Sequence, residues 1–323
     1  MRTIDAAAIE SVLTRADLVE ALRAGFREDV VTPVRHHHPM TRAGEPDAML
    51  LLMPAWTDTA GAVGPDAVMG VKLVSVVPGN AARGVPSVIG AYVLMSGVTG
   101  EPLAVLDGTR LTLWRTAAAS ALAADFLARP DASHLVMVGA GALAEHLIEA
   151  HAAIRPIRRV SVWNRSADKA EALAAKLAGR LHAVTAVSDL DAALAEADIV
   201  SAATMSSEPL VHGARLAPGT HVDLVGGYTP TMREADDAAI ARARVYVDTR
   251  AGALKEAGDL TQPIAGGILK PEDVVADLAD LCRGHDSGRR SEAEITLFKS
   301  VGTALEDLVA ARLVFARIAG SDG

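Results

Sequence analysis

The sequence has little cysteine, few aromatic residues and a shortage of positive charge. Its 323 residues contain one cysteine, Cys282, and only four Phe, three Trp and three Tyr. A single thiol forms neither an internal disulfide nor a cysteine-based metal site, which indicates a reducing compartment, and we expect the cytoplasm. Because 40 acidic side chains outnumber 31 basic ones, the net charge of −9 argues against a nucleic-acid partner, as does the scarcity of aromatic rings.

Long hydrophobic runs are also missing. The longest, such as residues 49–55 and 88–95, fall well short of the roughly 18 residues of a membrane-spanning helix. Residues 1–10 carry no apolar segment typical of a signal peptide, so we expect no membrane partner. The chain instead has 50% hydrophobic residues and a length that predicts about two domains, each with its own core.

Two sequence patterns alternate along the chain. Residues 1–32 predict short helices, one of them capped by Asp17, and residues 33–107 carry apolar runs broken by Pro and Gly, which predicts an antiparallel or mixed sheet. Beyond Leu111, short apolar strands alternate with helical segments at the spacing of βαβ units, which predicts a parallel sheet. A long amphipathic helix follows Glu294.

A glycine-rich loop is the strongest local signal. Residues 136–144 read Val-Met-Val-Gly-Ala-Gly-Ala-Leu-Ala, the pattern G-x-G-x-x-A, directly after an apolar strand and before an amphipathic helix. The first glycine permits the tight turn, the second lets the backbone approach a pyrophosphate, and the helix N-terminus attracts the phosphate charge. We expect a bound dinucleotide, with a purely structural glycine turn as the alternative. The contacts are predicted at Gly139, Ala140, Gly141, Ala142 and Leu143.

The end of the following strand selects the cofactor. An acidic residue there would bind the ribose 2′-hydroxyl of NAD, but this sequence has Asn164, Arg165 and Ser166. The guanidinium of Arg165 matches a 2′-phosphate, so we expect NADPH, with NADH as the alternative if Arg165 is only a solvated loop charge. Thr204 and Met205 follow a later strand, where we expect them beside the nicotinamide.

These patterns together predict an α/β protein. Residues 115–294 are expected to form a Rossmann-type, doubly wound parallel sheet that binds the dinucleotide. Residues 1–114 and the returning segment 295–323 are expected to form a second, α+β domain, in which the Rossmann domain is an insertion.

Several short motifs occur in a fixed order along the chain. They are Gly-Val-Lys at 70–72, Arg-Thr-Ala-Ala at 115–118, Val-Gly-Gly at 225–227, Lys-Glu-Ala-Gly-Asp at 255–259 and Phe-Lys-Ser-Val-Gly at 298–302, with the glycine loop among them. In these motifs the sequence resembles the ornithine cyclodeaminase/mu-crystallin family over nearly the whole chain. The resemblance implies a Rossmann domain, a second domain that binds substrate and pairs two subunits through its sheet, and nicotinamide-dependent chemistry at the Cα of an amino or imino acid.

The resemblance also implies binding residues. They are Arg35, Lys72, Arg115 and Ser87 for the substrate, with Thr116 and Gly226 expected at the cofactor. The same two cations stand out without the resemblance, because burying an unpaired lysine on an apolar strand or an unpaired arginine in a helix costs free energy. The carboxylate of a small ligand would neutralise Lys72 and Arg115, and an internal ion pair is the alternative for each.

Two positions depart from the cyclodeaminase pattern. Cyclodeaminases carry a carboxylate at the position of Leu51 and an Asp at that of Tyr228, and these carboxylates handle the side-chain amine and the released ammonia. Residues 225–234 instead resemble the imine-reducing branch. We therefore expect NAD(P)H-dependent reduction of a cyclic ketimine carboxylate, Δ1-pyrroline-2-carboxylate or Δ1-piperideine-2-carboxylate, to L-proline or L-pipecolate.

The proton donor and two other activities stay open at this point. Tyr228, Lys72 or water could protonate the imine nitrogen. Ornithine cyclodeamination or alanine dehydrogenation is a second hypothesis, and a non-catalytic, NADP(H)-linked binding protein for a small ligand is a third.

A run of three histidines, residues 36–38, suggests a metal site at first sight. Neighbouring side chains of an extended segment point to opposite faces, so the three rings do not converge on one ion. We therefore expect no metal and a polar surface strand.

Overall fold

A computed structural model describes residues 1–58, 64 and 66–321, apart from the side chains of Ala81 and Ser321. The chain divides into two compact units, Met1–Thr116 with Thr303–Gly323, and Ala117–Gly302. In chain order the helices and strands are β1 (Arg2–Ile4), α1 (Ala6–Val12), α2 (Arg15–Gly25), β2 (Val30–Val31), β3 (His36–Met40), β4 (Ala48–Thr57), β5 (Val68–Val76), β6 (Val88–Ser96), β7 (Pro102–Asp107), α3 (Gly108–Leu127), β8 (His134–Val138), α4 (Ala144–Ile154), β9 (Arg159–Trp163), α5 (Ala167–Leu177), β10 (Val184–Ala186), α6 (Leu190–Ala195), β11 (Ile199–Ala202), β12 (His221–Leu224), α7 (Asp237–Arg242), β13 (Ala243–Val247), α8 (Arg250–Glu256), α9 (Gly258–Ala265), β14 (Ala276–Asp277), α10 (Leu278–Arg283), β15 (Ile295–Lys299) and α11 (Ala304–Ser321).

The first unit is built on a seven-stranded mixed sheet. Its strands lie in the order β1-β7-β6-β5-β4-β2, and β3 also pairs with β4. The pair β1–β7 is parallel, and the others are antiparallel. The prediction of an antiparallel or mixed sheet is therefore confirmed. Alternate residues of β5, among them Gly70, Lys72 and Val74, are buried on the face against which α11 packs.

The cap of α2 differs from the predicted one. The side-chain oxygen of Thr14, not of Asp17, caps the helix by accepting a hydrogen bond from the Asp17 amide (3.2 Å). Asp17 lies in the first turn, where its charge still favours the positive end of the helix dipole. The predicted apolar face of the helix is confirmed, because Leu18, Leu22 and Phe26 are all buried.

The second unit is built on an eight-stranded parallel sheet. Its strands lie in the order β10-β9-β8-β11-β12-β15-β13-β14. Counted from β8, the first five strands follow the order 3-2-1-4-5 of a Rossmann fold, which confirms the predicted fold class. The order reverses between β8 and β11. In such sheets, ligands bind outside the carboxyl ends of the strands at this switch point.

The short strand β15 affects where the second unit ends. The sequence placed residues 295–299 in the returning segment of the other domain, but β15 pairs in parallel with both β12 and β13. All five of its residues are buried. The returning segment of the first unit therefore starts at Thr303, and α3 carries the chain from the first unit to the second. Among the described residues, every helix is too short or too polar to cross a membrane.

Candidate active site

The loop between β8 and α4 turns sharply at Gly139. Its φ is 106°, in the left-handed region that residues with a side chain rarely adopt. A Cβ here would lie 2.7 Å from the carbonyl oxygen of Ala203, the residue that follows β11. The Gly139 amide also donates to the carbonyl of Trp163 at the end of β9 (2.8 Å). Glycine is therefore required by the backbone, and the turn joins the ends of three neighbouring strands.

Gly141 lies in open space instead. A Cβ built on it would meet no heavy atom of the described residues within 4 Å, and both Gly141 and Ala142 are exposed. Helix α4 begins directly afterwards, with Leu143 at its N-cap position and no side-chain cap bond. The first amides of a helix lack intrahelical partners and favour an anion. This open cradle fits the pyrophosphate of a dinucleotide.

The three residues after β9 lie beside the glycine loop. Asn164 Oδ1 accepts a hydrogen bond from the Ala140 amide (3.2 Å), and Asn164 Nδ2 donates to the Ser166 carbonyl (3.0 Å). Arg165 is exposed. An open cavity of about 490 Å³ adjoins this edge of the sheet and is lined among others by Trp163, Ser188, Leu190 and Leu210. Trp163, which directly precedes the residues predicted to select the cofactor, thus lines a cavity large enough for a nucleoside.

One buried carboxylate joins the loops that follow β11 and β12. Glu234 Oε1 accepts from the amide (2.7 Å) and the hydroxyl (2.8 Å) of Thr204, and Oε2 accepts from the Gly226 amide (2.7 Å). Met205 and Tyr228, on the same two loops, are exposed. The residues predicted beside the nicotinamide, with Tyr228, therefore lie on adjoining loops at the carboxyl edge of the sheet.

Glu234 is itself held by a buried ion pair. Asp259 Oδ1 accepts from the amides of Glu234 (2.7 Å) and Ala235 (3.0 Å), and Asp259 Oδ2 lies 3.0 Å from Lys299 Nζ. The Lys299 nitrogen is 4.0 Å from Glu234 Oε2. Burial, together with the charge of Asp259, raises the pKa of Glu234 to about 7 against the opposing effects of Lys299 and the Thr204 hydrogen bonds.

In the first unit, Lys72 and Arg115 converge on two carboxylates of α11. Lys72 Nζ donates to Asp307 Oδ1 (3.0 Å) and lies 2.8 Å from Oδ2. Arg115 donates from Nε to Asp307 Oδ1 (3.0 Å) and from Nη1 to Glu306 Oε2 (2.7 Å). All four side chains are buried. Both cations therefore make the internal ion pairs that we stated as the alternative, and both share Asp307.

The pKa values of Lys72 and Arg115 are shifted in opposite directions. Burial and, to a smaller extent, the charges of Arg115 and Arg35 lower the pKa of Lys72 to about 8 against the opposing effect of Asp307. Burial also acts to lower the pKa of Arg115, but Asp307 and Glu306 outweigh it and leave that pKa above its usual value. Arg35 therefore contributes to the positive potential at Lys72. The three predicted carboxylate-binding cations act on one region of the first unit.

Tyr92 is a buried hydroxyl at the same cluster. It pairs with Lys72 in the register of β5 and β6, so both side chains lie on one face of the sheet. Its hydroxyl packs over Gly70 and has no hydrogen-bond partner among the described residues. Burial and the Asp307 carboxylate raise the pKa of Tyr92 well above its usual value.

Ser87 does not join the cluster through the sheet. It lies one residue before β6 and five residues from Tyr92, a separation of about 17 Å at the rise of a β-strand. Its carbonyl accepts from the Val77 amide (2.7 Å), which closes the turn between β5 and β6. Thr116 does follow Arg115 directly in α3 and is buried.

The histidine run forms the exposed strand β3. The rings of His36 and His38 lie edge to face at 6.3 Å, so they share one side of the strand and His37 takes the other. Within residues 1–58, 64 and 66–321, His, Cys, Asp and Glu form no group of three or more that could hold a metal ion.

Sequence reasoning missed the acidic partners at both sites. Glu306 and Asp307 interrupt the apolar face of α11 side by side, a signal that the sequence offered but that we did not use. Asp259 and Lys299 lie in two of the motifs noted above without an assigned role. Their positions become informative only when the fold brings them together.

Known proteins match this chain in sequence and in fold over nearly its whole length. A model of the ornithine cyclodeaminase/mu-crystallin family matches residues 2–322. The Δ1-pyrroline-2-carboxylate reductase of Paracoccus denitrificans is 43% identical over 300 residues, which cover 90% of this chain and 93% of that protein. The structure of Thermococcus litoralis Δ1-pyrroline-2-carboxylate reductase in complex with NADH and L-proline has a TM-score of 0.92 at 30% identity and covers 100% of this chain and 98% of that one. An archaeal alanine dehydrogenase dimer with bound NAD has a TM-score of 0.89 at 26% identity, with 100% and 97% coverage.

Proposed function

The chain belongs to the ornithine cyclodeaminase/mu-crystallin family, and on that basis we propose that it is an NAD(P)H-dependent ketimine reductase. Its substrate is a cyclic imine with a carboxylate on the imine carbon, Δ1-pyrroline-2-carboxylate or its six-membered homologue, and its product is the cyclic L-amino acid. The similar proteins named Δ1-pyrroline-2-carboxylate reductase support this reaction over ornithine cyclodeamination and over a non-catalytic binding role.

The observation that carries the proposal is the convergence of Lys72 and Arg115 on Asp307. The two cations come from motifs 43 positions apart, yet they meet on one carboxylate with Arg35 close enough to act on Lys72. Buried cations of this kind are held where a function needs them, because burial of charge is costly otherwise. A substrate carboxylate is the ligand that such a group attracts.

The internal ion pairs leave donors for that ligand. A lysine has three N–H donors and an arginine five. Lys72 uses one on Asp307, and Arg115 uses one on Asp307 and one on Glu306, so two and three donors respectively remain for the substrate. In this arrangement Asp307 and Glu306 fix the direction of the cations before the substrate arrives, which lowers the cost of binding.

The second unit supplies the cofactor residues. Gly139, Ala140, Gly141, Ala142 and Leu143 hold the pyrophosphate against the start of α4, and Asn164 anchors the loop beside it. Thr204, Met205 and Gly226 border the nicotinamide. When bound, the nicotinamide supplies a hydride to the imine carbon, while a proton reaches the imine nitrogen from the protein or solvent.

We expect Arg165→Ser to raise the KM for NADPH about tenfold and to leave the KM for NADH within about twofold, because only NADPH carries the 2′-phosphate that Arg165 would pair with. Initial rates with each cofactor at a saturating imine acid measure both values. An equal change for the two cofactors would mean that Arg165 is a solvated loop charge. NADH therefore serves as the internal control.

Lys72 is the proton donor that we favour, and its pKa of about 8 gives the sign of the pH dependence. A donor must be protonated, so kcat should be high below about pH 8 and fall as the pH rises through that value. Lys72→Arg keeps the positive charge but cannot release a proton in this range, so we expect kcat to drop about 100-fold and its alkaline fall to disappear.

Tyr228→Phe is the matched control for this profile. Tyr228 is exposed. If Lys72 is the proton donor, loss of the Tyr228 hydroxyl should lower kcat by about threefold or less and leave the pH at which kcat falls unchanged. A Lys72→Arg enzyme that kept both kcat and the pH profile would instead assign the proton to Tyr228 or to water.

A parallel assay of cofactor absorbance tests the reaction itself. The wild-type protein should oxidise NADPH or NADH with Δ1-pyrroline-2-carboxylate or Δ1-piperideine-2-carboxylate and form L-proline or L-pipecolate. Ammonia release from L-ornithine would favour cyclodeamination, and NAD reduction with L-alanine would favour the dehydrogenase. Cofactor binding without turnover of any imine acid would leave a binding protein.

A homodimer is the assembly that we propose. The first unit exposes three large apolar side chains close together in the chain around the start of β6, Val85, Val88 and Ile89, each 43–46% exposed. Exposed apolar side chains in one region are typical of interaction surfaces. The archaeal alanine dehydrogenase, which is similar in fold, is a dimer.

A further inference from the structure

The carboxylate of Glu234 is buried in an unusual place. It lies behind the carboxyl edge of a parallel sheet, where apolar side chains would normally fill the core, and none of its surface is exposed. Asp259 and Lys299 beside it are equally buried. Burying three charges gives little net stability compared with apolar packing. Departures of this kind from simple core packing occur where a protein needs a defined geometry.

The partners of Glu234 show which geometry it defines. Its four hydrogen bonds come from the amide and hydroxyl of Thr204, after β11, and from the amides of Gly226 (2.7 Å) and Gly227 (3.3 Å), after β12. A Cβ on Gly226 would overlap the Thr204 carbonyl oxygen, so the two loops touch. All four of these groups are donors, which match the acceptor oxygens of a carboxylate. Glu234 therefore acts as a clamp between the two loops.

Asp259 and Lys299 keep the clamp in one orientation. Asp259 accepts from the amide of Glu234 itself, and Lys299 balances the charge of the two carboxylates from 3.0 and 4.0 Å. A Cβ on Gly227 would overlap Asp259 Oδ2, so this packing reaches the loop as well. The clamp thus has a rigid support within the second unit.

We propose that Glu234 is a positioning residue for the nicotinamide half of the cofactor. It fixes the loops that carry Thr204, Met205 and Tyr228. Within the described part of the chain, none of its hydrogen bonds reaches the adenosine end, where Asn164 and Arg165 lie. The inference rests on the proposed function, because it assumes a nicotinamide dinucleotide in the cradle at Gly141. It predicts that Glu234 acts on one half of the cofactor only.

The experiment separates the two halves by calorimetry on the full chain. The probes are NADPH and NADH, and the fragments that lack nicotinamide, 2′-phospho-ADP-ribose and ADP-ribose. Glu234→Gln places an amide N–H₂ against backbone donors, so we expect the dinucleotide affinity to fall about 10- to 100-fold. The affinity of each fragment should stay within about twofold of the wild type, and kcat should fall together with dinucleotide affinity.

Asp223→Asn is the matched control. Asp223 is a fully buried carboxylate of the same sheet, but it bonds the side chains of Ser120 in α3 (2.9 Å), Ser201 in β11 (2.7 Å) and His151 in α4 (3.2 Å) rather than the loops. It should lower the unfolding temperature without separating dinucleotide from fragment affinity. If Glu234→Gln does not fold, Asp259→Asn is the variant for the same binding measurements. Its Oδ1 can still accept hydrogen bonds from the two amides, but its side-chain N–H₂ faces the positively charged Lys299 and so weakens the support of Glu234.

Parallel losses of dinucleotide and fragment affinity would overturn the proposal and make the clamp a general element of the fold. Unchanged affinities for both would overturn it as well. Since the binding measurements use no imine acid, a failure of the proposed reaction with the wild-type protein leaves this test intact. The two hypotheses can thus fail separately.

Discussion

Arg115→Ala should raise the KM for the imine acid about 100-fold or more and leave the affinity for NADPH within about twofold. The guanidinium still has three donors beyond its bonds to Asp307 and Glu306, and charge-assisted hydrogen bonds to a carboxylate contribute about 1.5–3 kcal/mol each. Loss of two such bonds gives the expected factor. The KM comes from steady-state rates, and the cofactor affinity comes from binding without substrate.

Stability has to be separated from binding in this variant. Removing Arg115 takes away a cation that pairs with both buried carboxylates, Glu306 and Asp307, and breaking a buried ion pair costs about 3–5 kcal/mol. Arg115→Lys keeps the charge but lacks the planar fork of the guanidinium, and after bonding both carboxylates it would have one donor left for the substrate instead of three. We therefore expect about a tenfold increase in KM with a smaller stability loss.

Arg110→Ala is the control from the same helix. Arg110 is partly exposed and pairs with Glu10 (2.8 Å), so its loss should change neither KM nor stability by much. If Arg115→Ala weakened cofactor and substrate binding equally, Arg115 would be a structural cation, and the carboxylate site would have to be assigned to other residues.

The sequence was sufficient for those features that depend on neighbours along the chain. The apolar runs of β4 to β7 alternate with turn residues, and the glycine loop follows a strand and precedes a helix, so short windows predict them. The same windows failed at β15. Its five residues read as a short apolar run, and only pairing with β12 and β13 assigns it to the parallel sheet.

The acidic partners could not be predicted for the same reason. Lys72 and Asp307 are 235 positions apart, and Arg115 and Glu306 are 191 apart, so nothing local connects them. Local reasoning showed that each cation needed a partner and offered a ligand or an ion pair as alternatives. In the fold, an ion pair and a bound ligand are compatible for each cation. The carboxylates of α11 accept some of the N–H donors of Lys72 and Arg115, and the remaining donors are free to bind a substrate.

Gly141→Val should reduce the affinity for NADPH and NADH by about 100-fold or more while changing the free energy of unfolding by only about 0.5 kcal/mol. Gly141 lies in open space, and its φ is outside the left-handed region, so the fold has room for a side chain. The branched side chain would occupy the space at the start of α4 in which we place the pyrophosphate. Calorimetry and thermal unfolding measure the two quantities.

Gly139→Ala provides the contrast that makes this result specific. At a φ of 106° and with the Ala203 carbonyl oxygen 2.7 Å from the new Cβ, alanine should cost about 1–2 kcal/mol or more of stability as well as cofactor affinity. The two glycines of one loop should therefore differ: one variant loses binding alone, and the other loses binding and stability together. A Gly141→Val protein that still bound the dinucleotide tightly would reduce the motif to a structural turn, and the cofactor site would then have to lie elsewhere on the sheet edge.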